Sequence, residues 1–323
     1  MKKALILGVN GQDGRLLSEL LLKKKYLIWG THYKKTKNKN FKILNLNILK
    51  FEKLRNIIRK FKPHEIYNFA GISDLKSNEK DFLISEKINN LVVINILEEI
   101  KNTKIKYFQP ITSEIYGHYS YEKKIKKNTI YNPQSSYAIS KLSSMFYMKL
   151  YREKFGTHAV TGVLFNHESE FRKNKFVTKM IVENIHKIRL NKIKQFQIRN
   201  LDAKRDWGYA RDYMQLIHKC TIRKKPADYL IGSGKLHSVK DIVEVSCKYF
   251  GIKVRWKKIG KVVYGIDQND RKIIKSPYKK NINLKTIYAD NSEISKIFKF
   301  KPSLSFKELI KLMCKFERNK NLN

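Results

Sequence analysis

Tyr137 and Lys141 stand four positions apart in the string SSYAISK, residues 135–141. On a helix this spacing places both side chains on one face, one turn apart. A phenol is a weak acid with a pKa of ~10, and a nearby ammonium group lowers that pKa because it favours the phenolate. The pair is therefore a candidate for proton transfer. The alternative interpretation is a half-buried tyrosine beside a solvated lysine.

A glycine-rich turn supplies the first evidence for a cofactor. Three glycines at intervals of three follow the apolar run 3–9 in the string GVNGQDG, and an apolar helix begins directly after them. This order opens a dinucleotide-binding unit, because small residues let the backbone approach a pyrophosphate and the helix N-terminus offers unpaired N–H groups. The cofactor-binding residues predicted in this turn are Gly8, Gly11, Gln12, Asp13 and Gly14.

The second predicted strand is 26–32, and the residues that follow it indicate which dinucleotide binds. In dinucleotide-binding folds an acidic residue at this position binds the ribose of NAD, whereas a basic residue accommodates the 2′-phosphate of NADP. Here the sequence reads Tyr33, Lys34, Lys35, without an acidic residue. We therefore predict NADP as the cofactor, with Lys34 or Lys35 contacting its 2′-phosphate.

The elements that position these residues alternate regularly along the first half of the chain. Repeated strand–helix alternation predicts an α/β fold, a Rossmann-type doubly wound parallel sheet with helices on both faces. The predicted strands after the first two are 42–47, 65–71, 106–114 and 159–166, and the predicted helices are 51–61, 83–101 and the helix that carries Tyr137.

Small and polar residues end two of these strands. Ala70 and Gly71 end the strand EIYNFAG, and Thr112, Ser113 and Glu114 end the strand KYFQPITSE. Ligands of open parallel sheets bind beyond the carboxyl ends of the strands. We therefore expect the cofactor to pass Ala70, and the hydroxyl and carboxylate groups to face its nicotinamide.

The alternation loosens after residue 166, which predicts a second, smaller α/β domain for the substrate. Helices are expected at 178–190, 238–251 and 305–316, and a strand at 228–234. The expected division assigns 1–166 and about 200–222 to the NADP-binding domain, and 167–199 and 223–323 to the substrate-binding domain.

The chain of 323 residues is strongly basic, with 69 Lys+Arg against 28 Asp+Glu and a formal charge of +41. Such an excess favours nucleic-acid binding in some proteins. Here it is mostly lysine spread along the whole chain, and no basic arm, zinc finger or aromatic RNP-like strand is present, so we expect no nucleic-acid partner. The charge would still attract an anionic small substrate.

Several other classes of protein are not expected. No apolar run is long enough to span a membrane, and the N-terminal run is a first strand rather than a signal peptide. Cys220, Cys247 and Cys314 are far apart and have no metal-ligand spacing, so we expect free or buried thiols, a cytoplasmic location and no metal site.

Seven strings occur in an order that resembles the extended short-chain dehydrogenase/reductase family, and within it the GDP-mannose 4,6-dehydratases. The resemblance extends from Ala4 to about Phe316, and the strings containing FNHES and KRDWG are the most specific. The strings are GVNGQDG, KPHEIYNFAG, TSEIYG, SSYAISK, GVLFNHES, FVTK and NLDAKRDWGYARDY.

The resemblance implies a hydro-lyase that acts on GDP-mannose without net oxidation. By this resemblance NADP removes a hydride from C4 of the sugar and later returns it to C6, while Tyr137, assisted by Lys141, takes the hydroxyl proton. Glu114 removes the C5 proton and helps to expel the C6 hydroxyl as water, and Thr112 hydrogen-bonds O4. A simple reductase has no use for Glu114, so this carboxylate distinguishes the dehydratases within the family.

The resemblance also implies the residues that hold the nucleotide sugar. Asn166 and the stretch Val177–Lys179 should line the site together with Ser113. Arg205 should clamp the diphosphate, for which a bidentate guanidinium is well suited, although a structural ion pair between Arg205 and Asp206 is the alternative. Lys280 aligns with a late arginine that contacts the substrate.

The sequence departs from the family pattern at several of these places. It has Glu170–Lys173 where Pro-Arg-Arg-Gly is usual, Arg199 where Gly is usual, Ser136 before the tyrosine where Pro is usual, and Asn45 in place of an adenine-side Asp. The loop after the second strand is short, and in the family it reaches a neighbouring subunit. A homo-oligomer, a dimer or a tetramer, is expected.

Two other functions remain compatible with parts of the sequence. One is an NADP-dependent reductase or epimerase that acts on another nucleotide sugar, since such enzymes share the glycine turn and the Tyr-x-x-x-Lys pair. The other is a catalytically inactive member of the family that binds nucleic acid or a protein partner through its basic surface.

Overall fold

The computed structural model describes residues 1–72, 79–119, 121–277 and 286–320. None of the helices in these ranges is long and apolar enough to cross a bilayer. The helices are α1 (Gln12–Lys23), α2 (Phe51–Phe61), α3 (Glu79–Glu86), α4 (Val92–Ile100), α5 (Ser136–Phe155), α6 (Val177–Arg189), α7 (Ala210–Ile222), α8 (Val239–Tyr249), α9 (Ser292–Phe298) and α10 (Phe306–Lys320).

The strands divide between one large sheet and three small ones. They are β1 (Lys3–Leu7), β2 (Leu27–His32), β3 (Lys42–Asn45), β4 (Glu65–Asn68), β5 (Lys106–Thr112), β6 (Lys123–Ile125), β7 (Ala159–Leu164), β8 (Asn166–Glu168), β9 (Phe196–Gln197), β10 (Lys204–Tyr209), β11 (Asp228–Ile231), β12 (Leu236–Ser238), β13 (Arg255–Ile259), β14 (Val262–Ile266), β15 (Lys272–Pro277) and β16 (Ile287–Ala289).

The large sheet has seven parallel strands in the order β11-β7-β5-β4-β1-β2-β3. The chain order reverses between β1 and β4, and at such a switch point the connections leave the two strands in opposite directions and open a crevice at their carboxyl ends. The predicted α/β fold with a Rossmann-type parallel sheet is thereby confirmed.

Helices cover both faces of this sheet because each carries one apolar stripe. On one face Leu17 and Leu21 of α1 pack in the same core as Met214 and Ile217 of α7. On the other face α2, α4 and α5 share a second core with the strands. Burying each of these aliphatic side chains contributes about 1.5–3 kcal/mol, so the two helical layers hold the strand ends in fixed positions.

A further core lies beyond the large sheet. There α6, α8 and α10 pack together around apolar side chains such as Ile181, Ile242 and Ile310, all fully buried. Two small sheets, β12-β10-β8 and β13-β14-β15-β9, complete this part of the chain. The parallel pairing of β10 with β8 places Trp207 opposite Asn166, so this part meets the large sheet where β7 ends.

Two sequence predictions require correction. The strand Asp228–Ile231, expected in the substrate-binding domain, pairs in parallel with β7 at the edge of the large sheet, because its apolar residues from Tyr229 to Ile231 are buried there. The single helix predicted for 83–101 is interrupted by a π-helical turn, Lys87–Leu91. Asn89 and Asn90 point inward in this turn and hydrogen-bond Ile72 and Ser143, which the regular apolar pattern did not indicate.

Candidate active site

Helix α5 holds the tyrosine–lysine pair near the carboxyl ends of the central strands. The helix begins after Ser135, whose side chain accepts a hydrogen bond from the backbone N–H of Ala138. Tyr137 therefore lies in the first turn and Lys141 one turn later. The Lys141 side chain is only 5% exposed, and its Nζ donates to the carbonyl oxygen of Pro110 at 3.0 Å. This excludes the interpretation of a solvated lysine.

Burial shifts both ionisable groups towards their neutral forms. It lowers the pKa of Lys141 to about 8 and raises the pKa of Tyr137 to about 12, against the opposing effect of the Thr112 hydroxyl. The prediction that Lys141 lowers the pKa of the phenol is therefore wrong for the protein alone. The physical reason is that loss of solvent around the phenol, reinforced by the Glu114 and Asp13 carboxylates, outweighs any attraction from the buried lysine.

A cleft of about 840 Å³ opens at the carboxyl ends of the central strands, next to this pair. It lies at the switch point of the sheet, where the fold predicts a ligand. The structure brings many of the predicted site residues to its walls. Those that line it are Asp13, Ala70, Thr112, Ser113, Glu114, Tyr137, Lys141 and Asn166.

The hydroxyl and carboxylate groups at the end of β5 enter the cleft through a short 3₁₀ turn, Ser113–Tyr116. The Thr112 hydroxyl caps this turn by accepting the backbone N–H of Glu114 at 3.2 Å. The turn thus presents Glu114 on the same side as Tyr137, and the charge of Glu114 acts on both Tyr137 and Arg205. A carboxylate and a phenol consequently face one cavity.

Arg205 approaches the cleft from β10, although it is not among the residues that line it. The neighbouring Asp206 is 1% exposed and accepts backbone N–H groups from Ser233, Gly234 and Ala289 at 2.7–3.0 Å. The carboxylate of Asp206 therefore ties the turn after β11 and the end of β16 to β10. Its acceptors are occupied by these groups rather than by an ion pair with Arg205.

The glycine-rich turn packs as the sequence predicts for a close backbone approach. A Cβ at Gly8 would lie 2.8 Å from the backbone N of Ala70, and a Cβ at Gly14 would lie 2.6 Å from the carbonyl oxygen of Gly8. No side chain of the described residues caps α1, which begins after Gly11. The first N–H groups of α1 are thus available at the crevice end of β1.

The side chains of Gln12 and Asp13 reach across to β8 and the residue after it. Gln12 Nε2 donates to the backbone carbonyl of His167 at 3.1 Å, and the Ser169 hydroxyl donates to Gln12 Oε1 at 2.9 Å. Both carboxylate oxygens of Asp13 lie 3.1 Å from His167 Nε2. These contacts join the glycine-rich turn to the segment FNHES.

The remaining predicted site residues lie outside the main cleft. Lys34 is exposed directly after β2, and Val177, the first residue of α6, packs against the distant core. Lys179 is 2% exposed, forms an ion pair with Glu317, and lines a second cleft of about 400 Å³. Lys280 lies outside the described residues.

The structure adds residues to the cleft that the sequence did not single out. The walls of the cleft also contain His167, Arg172 and Phe176. The Arg172 guanidinium stacks 3.5 Å from the Phe176 ring centre and lies 3.0 Å from Glu168 Oε2. The available signal was their position within FNHES, which contains His167, or shortly after it. Within the described ranges, no cluster of His, Cys, Asp and Glu could hold a metal ion.

Comparison with solved structures supports the same architecture. The fold is similar to a dTDP-glucose 4,6-dehydratase from Bacillus anthracis solved with NAD, with a TM-score of 0.81 at 18% identity, covering 100% of this chain and 98% of that one. It is also similar to RMD from Pseudomonas aeruginosa solved with NADPH, with a TM-score of 0.80 at 15% identity, covering 99% and 100%.

Sequence comparison identifies the family. The family model described as GDP-mannose 4,6 dehydratase matches residues 5–313. A GDP-mannose 4,6 dehydratase from Drosophila melanogaster is 31% identical over 338 residues, which cover 97% of this chain and 85% of the relative. A protein of the same name from Homo sapiens is 30% identical over 342 residues, covering 96% and 90%. The chain belongs to the GDP-mannose 4,6-dehydratase family.

Proposed function

We propose that this protein converts GDP-mannose to GDP-4-keto-6-deoxymannose and water. The observation that carries the proposal is the presence of Glu114 in the same cleft as Tyr137 and Lys141. The phenol and the lysine suit oxidation at a hydroxyl group, and the carboxylate is the second acid/base group that elimination requires. Membership of the family supplies the substrate.

NADP is the proposed cofactor, and the residues of the cleft fit a dinucleotide. The uncapped start of α1 can accept the pyrophosphate, and a Cβ at Gly71 would lie 3.0 Å from Asn89 Oδ1 and 3.8 Å from Lys141 Nζ, so the glycine keeps this wall open. Lys34, exposed after β2, supports the choice of NADP. A bound nicotinamide would supply reversible hydride transfer: it would take a hydride from C4 of the mannose and give it back to C6, while C5 regains a proton.

Tyr137 acts on the C4 hydroxyl as the base during oxidation. The phenol is protonated at rest, because its pKa is raised to about 12 by burial. Formation of the phenolate therefore depends on positive charge nearby, and Lys141, with its pKa of about 8, is protonated at neutral pH. Thr112, beside the phenol, hydrogen-bonds O4 and holds the hydroxyl towards Tyr137.

Glu114 performs the elimination. A ketone at C4 acidifies the proton on C5, and the Glu114 carboxylate removes that proton. The protonated carboxyl group then donates to the departing C6 hydroxyl, which leaves as water, and Glu114 returns to its ionised state. One carboxylate thus acts first as a base and then as an acid.

Six more residues are proposed to hold the nucleotide sugar. Ser113 and Asn166 line the main cleft near the sugar position. Arg205, on the side of Glu114, binds the diphosphate. Val177 and Lys179 at the start of α6 contact the nucleoside, for which the second cleft beside Lys179 has room. Lys280, outside the described residues, is assigned to the substrate from the family pattern.

The proposal is tested with GDP-mannose that carries deuterium at C4, incubated without added NADPH. We expect a 4-keto-6-deoxy product with the deuterium at C6, as measured by mass spectrometry and NMR. An epimerase would return the label to C4, and a reductase would give no turnover without an external reductant.

Glu114→Gln tests the assignment of the elimination base in the same assay. We expect no loss of water and, in D₂O, no exchange of the C5 proton, because the amide cannot accept it. Glu52→Gln makes the same change on an exposed carboxylate of α2 and should behave like the parent. Normal elimination by Glu114→Gln would show that another group removes the C5 proton.

Lys34→Glu tests the choice of NADP over NAD. A carboxylate at this position repels the 2′-phosphate and can bind the ribose hydroxyls, so the ratio of NADP⁺ to NAD⁺ affinity should fall by about 10-fold or more. The measurement is titration of both nucleotides by calorimetry. An unchanged ratio would move the assignment to another residue, with Lys35 the next to be changed.

We also propose a homo-oligomer, a dimer or a tetramer. Large apolar side chains on α3 and α5, which contact each other, are exposed: Phe82, Leu83, Ile139, Phe146 and Leu150 are 40–66% accessible. A second copy would bury this patch. Light scattering on a sizing column should give at least twice the monomer mass, and a monomeric mass would contradict the proposal.

A cytoplasmic location is consistent with the three buried, unpaired cysteines.

A further inference from the structure

His167 lies in the wall of the cleft but has no part in the proposed chemistry. Its Nδ1 lies 2.8 Å from the carbonyl oxygen of Phe165, and its Nε2 lies 3.1 Å from each oxygen of Asp13. A carbonyl oxygen and an ionised carboxylate only accept hydrogen bonds. Both ring nitrogens must therefore carry protons, and the geometry is that of an imidazolium paired with a carboxylate.

The surroundings hold this pair in place and largely exclude water. The His167 and Asp13 side chains are 13% and 23% exposed. The imidazole ring stacks on Tyr213 of α7, with ring centres 4.9 Å apart. Gln12 holds the backbone carbonyl of His167. The ring therefore cannot turn away from Asp13 without breaking several contacts.

The charges around the pair balance only when His167 is protonated. Within the described part of the chain, the other charged groups next to it are Arg172 and Glu168, which form their own ion pair at 3.0 Å. Burial raises the pKa of the Glu168 carboxyl, and the Arg172 guanidinium opposes this shift. The neighbouring Tyr213 is neutral, because burial raises its pKa. Two carboxylates thus face one guanidinium and one imidazolium, and loss of the His167 proton leaves one uncompensated negative charge.

Asp13 is the acidic residue in the first turn of α1. A helix N-terminus attracts phosphate through its N–H groups, and an unpaired carboxylate there opposes this attraction. We propose that His167 neutralises the Asp13 carboxylate at the N-terminus of α1 and thereby permits a dinucleotide pyrophosphate to bind there. The inference rests on the nicotinamide dinucleotide of the proposed function, and it makes His167 a positioning residue for cofactor affinity.

The direction of the pH dependence follows from the pair. Burial by itself lowers the pKa of His167, but the Asp13 carboxylate outweighs it, so the pKa is raised above its ordinary value. His167 is therefore fully protonated below the ordinary histidine pKa and loses its proton as the pH rises through its raised pKa. Cofactor affinity should consequently be highest at low pH and fall as the pH rises.

The experiment measures the dissociation constants of NAD⁺ and NADP⁺ by calorimetry from about pH 6.5 to about pH 9. The parent should bind more weakly as the pH rises. His167→Gln should bind about tenfold more weakly at the lowest pH, the effect of one partly screened charge. It should keep only the pH dependence that Lys141, with its pKa of about 8, contributes in the same cleft. Because both nucleotides share the pyrophosphate, the two losses should be equal.

Charge rescue separates this role from a purely structural one. Asp13→Asn combined with His167→Gln removes both charges, and His167→Lys keeps a positive charge at every pH tested. Both should bind within about threefold of the parent at low pH and show the same residual pH dependence as His167→Gln. His64→Gln, on an exposed histidine outside the cleft, should follow the parent.

The outcomes distinguish this inference from the proposed function. If His167→Gln binds both nucleotides like the parent at every pH, or if the double variant and His167→Lys are as weak as His167→Gln, the role of His167 is wrong although the cofactor assignment stands. If the parent binds neither nucleotide, the proposed function fails and this inference fails with it.

Discussion

The two ends of strand β4 both contain buried ionisable groups, but they use them differently. At the amino end Glu65, 2% exposed, accepts hydrogen bonds from the Tyr26 and Tyr67 hydroxyls at 2.9 and 2.7 Å. His218 lies 3.1 Å from the same Tyr67 hydroxyl. Both carboxylate oxygens are thus satisfied by side chains of the protein.

At the carboxyl end one buried and two half-buried groups face a cavity instead. Tyr137, Lys141 and Glu114 line the cleft at the switch point of the sheet. Burial shifts pKa values at both ends: it lowers the pKa of His218 to about 4 and that of Lys141 to about 8. A shifted pKa therefore does not locate a site by itself, and the presence of an open cavity beside the shifted groups makes the difference.

The largest expected effect is on catalysis at the carboxyl end. Tyr137→Phe removes the proton-transferring hydroxyl and should lower kcat for GDP-mannose by ~10²–10⁴-fold, with thermal unfolding within a few degrees of the parent. The measurement is steady-state turnover together with a melting curve. Near-normal turnover would show that Tyr137 is not the base.

The next effect is a gain in stability, from a substitution at the same end of β4. Burial lowers the pKa of Lys141 to about 8, so the folded protein bears a cost for its charge at pH 7. Lys141→Met removes this cost and also the hydrogen bond to Pro110, and the net result should be a free energy of unfolding about 1–3 kcal/mol higher. The same substitution should abolish activity. The measurement is urea unfolding.

The pH dependence of that gain provides its control. In the parent the cost of charging Lys141 is complete below about pH 8 and disappears towards the ordinary lysine pKa of 10.5, because the unfolded chain then also binds no proton. The difference between parent and Lys141→Met should therefore shrink as the pH rises from 7 to about 10. A constant difference would mean that packing, not charge burial, is responsible.

The smallest effect on activity is expected from a substitution at the amino end of β4. Tyr67→Phe removes one donor to Glu65 and should lower the free energy of unfolding by about 1–3 kcal/mol, while kcat/KM stays within about twofold of the parent. Urea unfolding and the turnover assay measure both. A large loss of activity in a well-folded Tyr67→Phe variant would remove the functional distinction between the two ends.

Local patterns in the sequence predicted the parts of the site that are built locally. The glycine-rich turn, the strand end at Thr112–Glu114 and the spacing of Tyr137 and Lys141 all depend on short stretches of chain. The burial of Lys141 could not be predicted, because it depends on Pro110, which reaches it from another element. Burial also reversed the expected direction of the phenol pKa.

The parts that the sequence did not predict depend on contacts between distant segments. His167 and Arg172 enter the site because β8 lies opposite the glycine-rich turn, 154 residues away in the sequence from Asp13. The place of β11 in the large sheet follows from its pairing with β7. The two asparagines of the π-helical turn find partners only in the folded chain.

The hydrogen bonds of Asp206 have a consequence for which substitutions this part of the chain tolerates. The carboxylate binds the backbone N–H groups of Ser233, Gly234 and Ala289, so these bonds do not require particular side chains at those positions. Both glycines of this turn are constrained: a Cβ at Gly232 would clash with Ala289 Cβ and lie 2.7 Å from Asp206 Oδ2, and Gly234 has a φ of +75°. Loss of this one carboxylate would therefore leave three backbone N–H groups without their acceptor, and would loosen β10 from both β16 and the turn after β11.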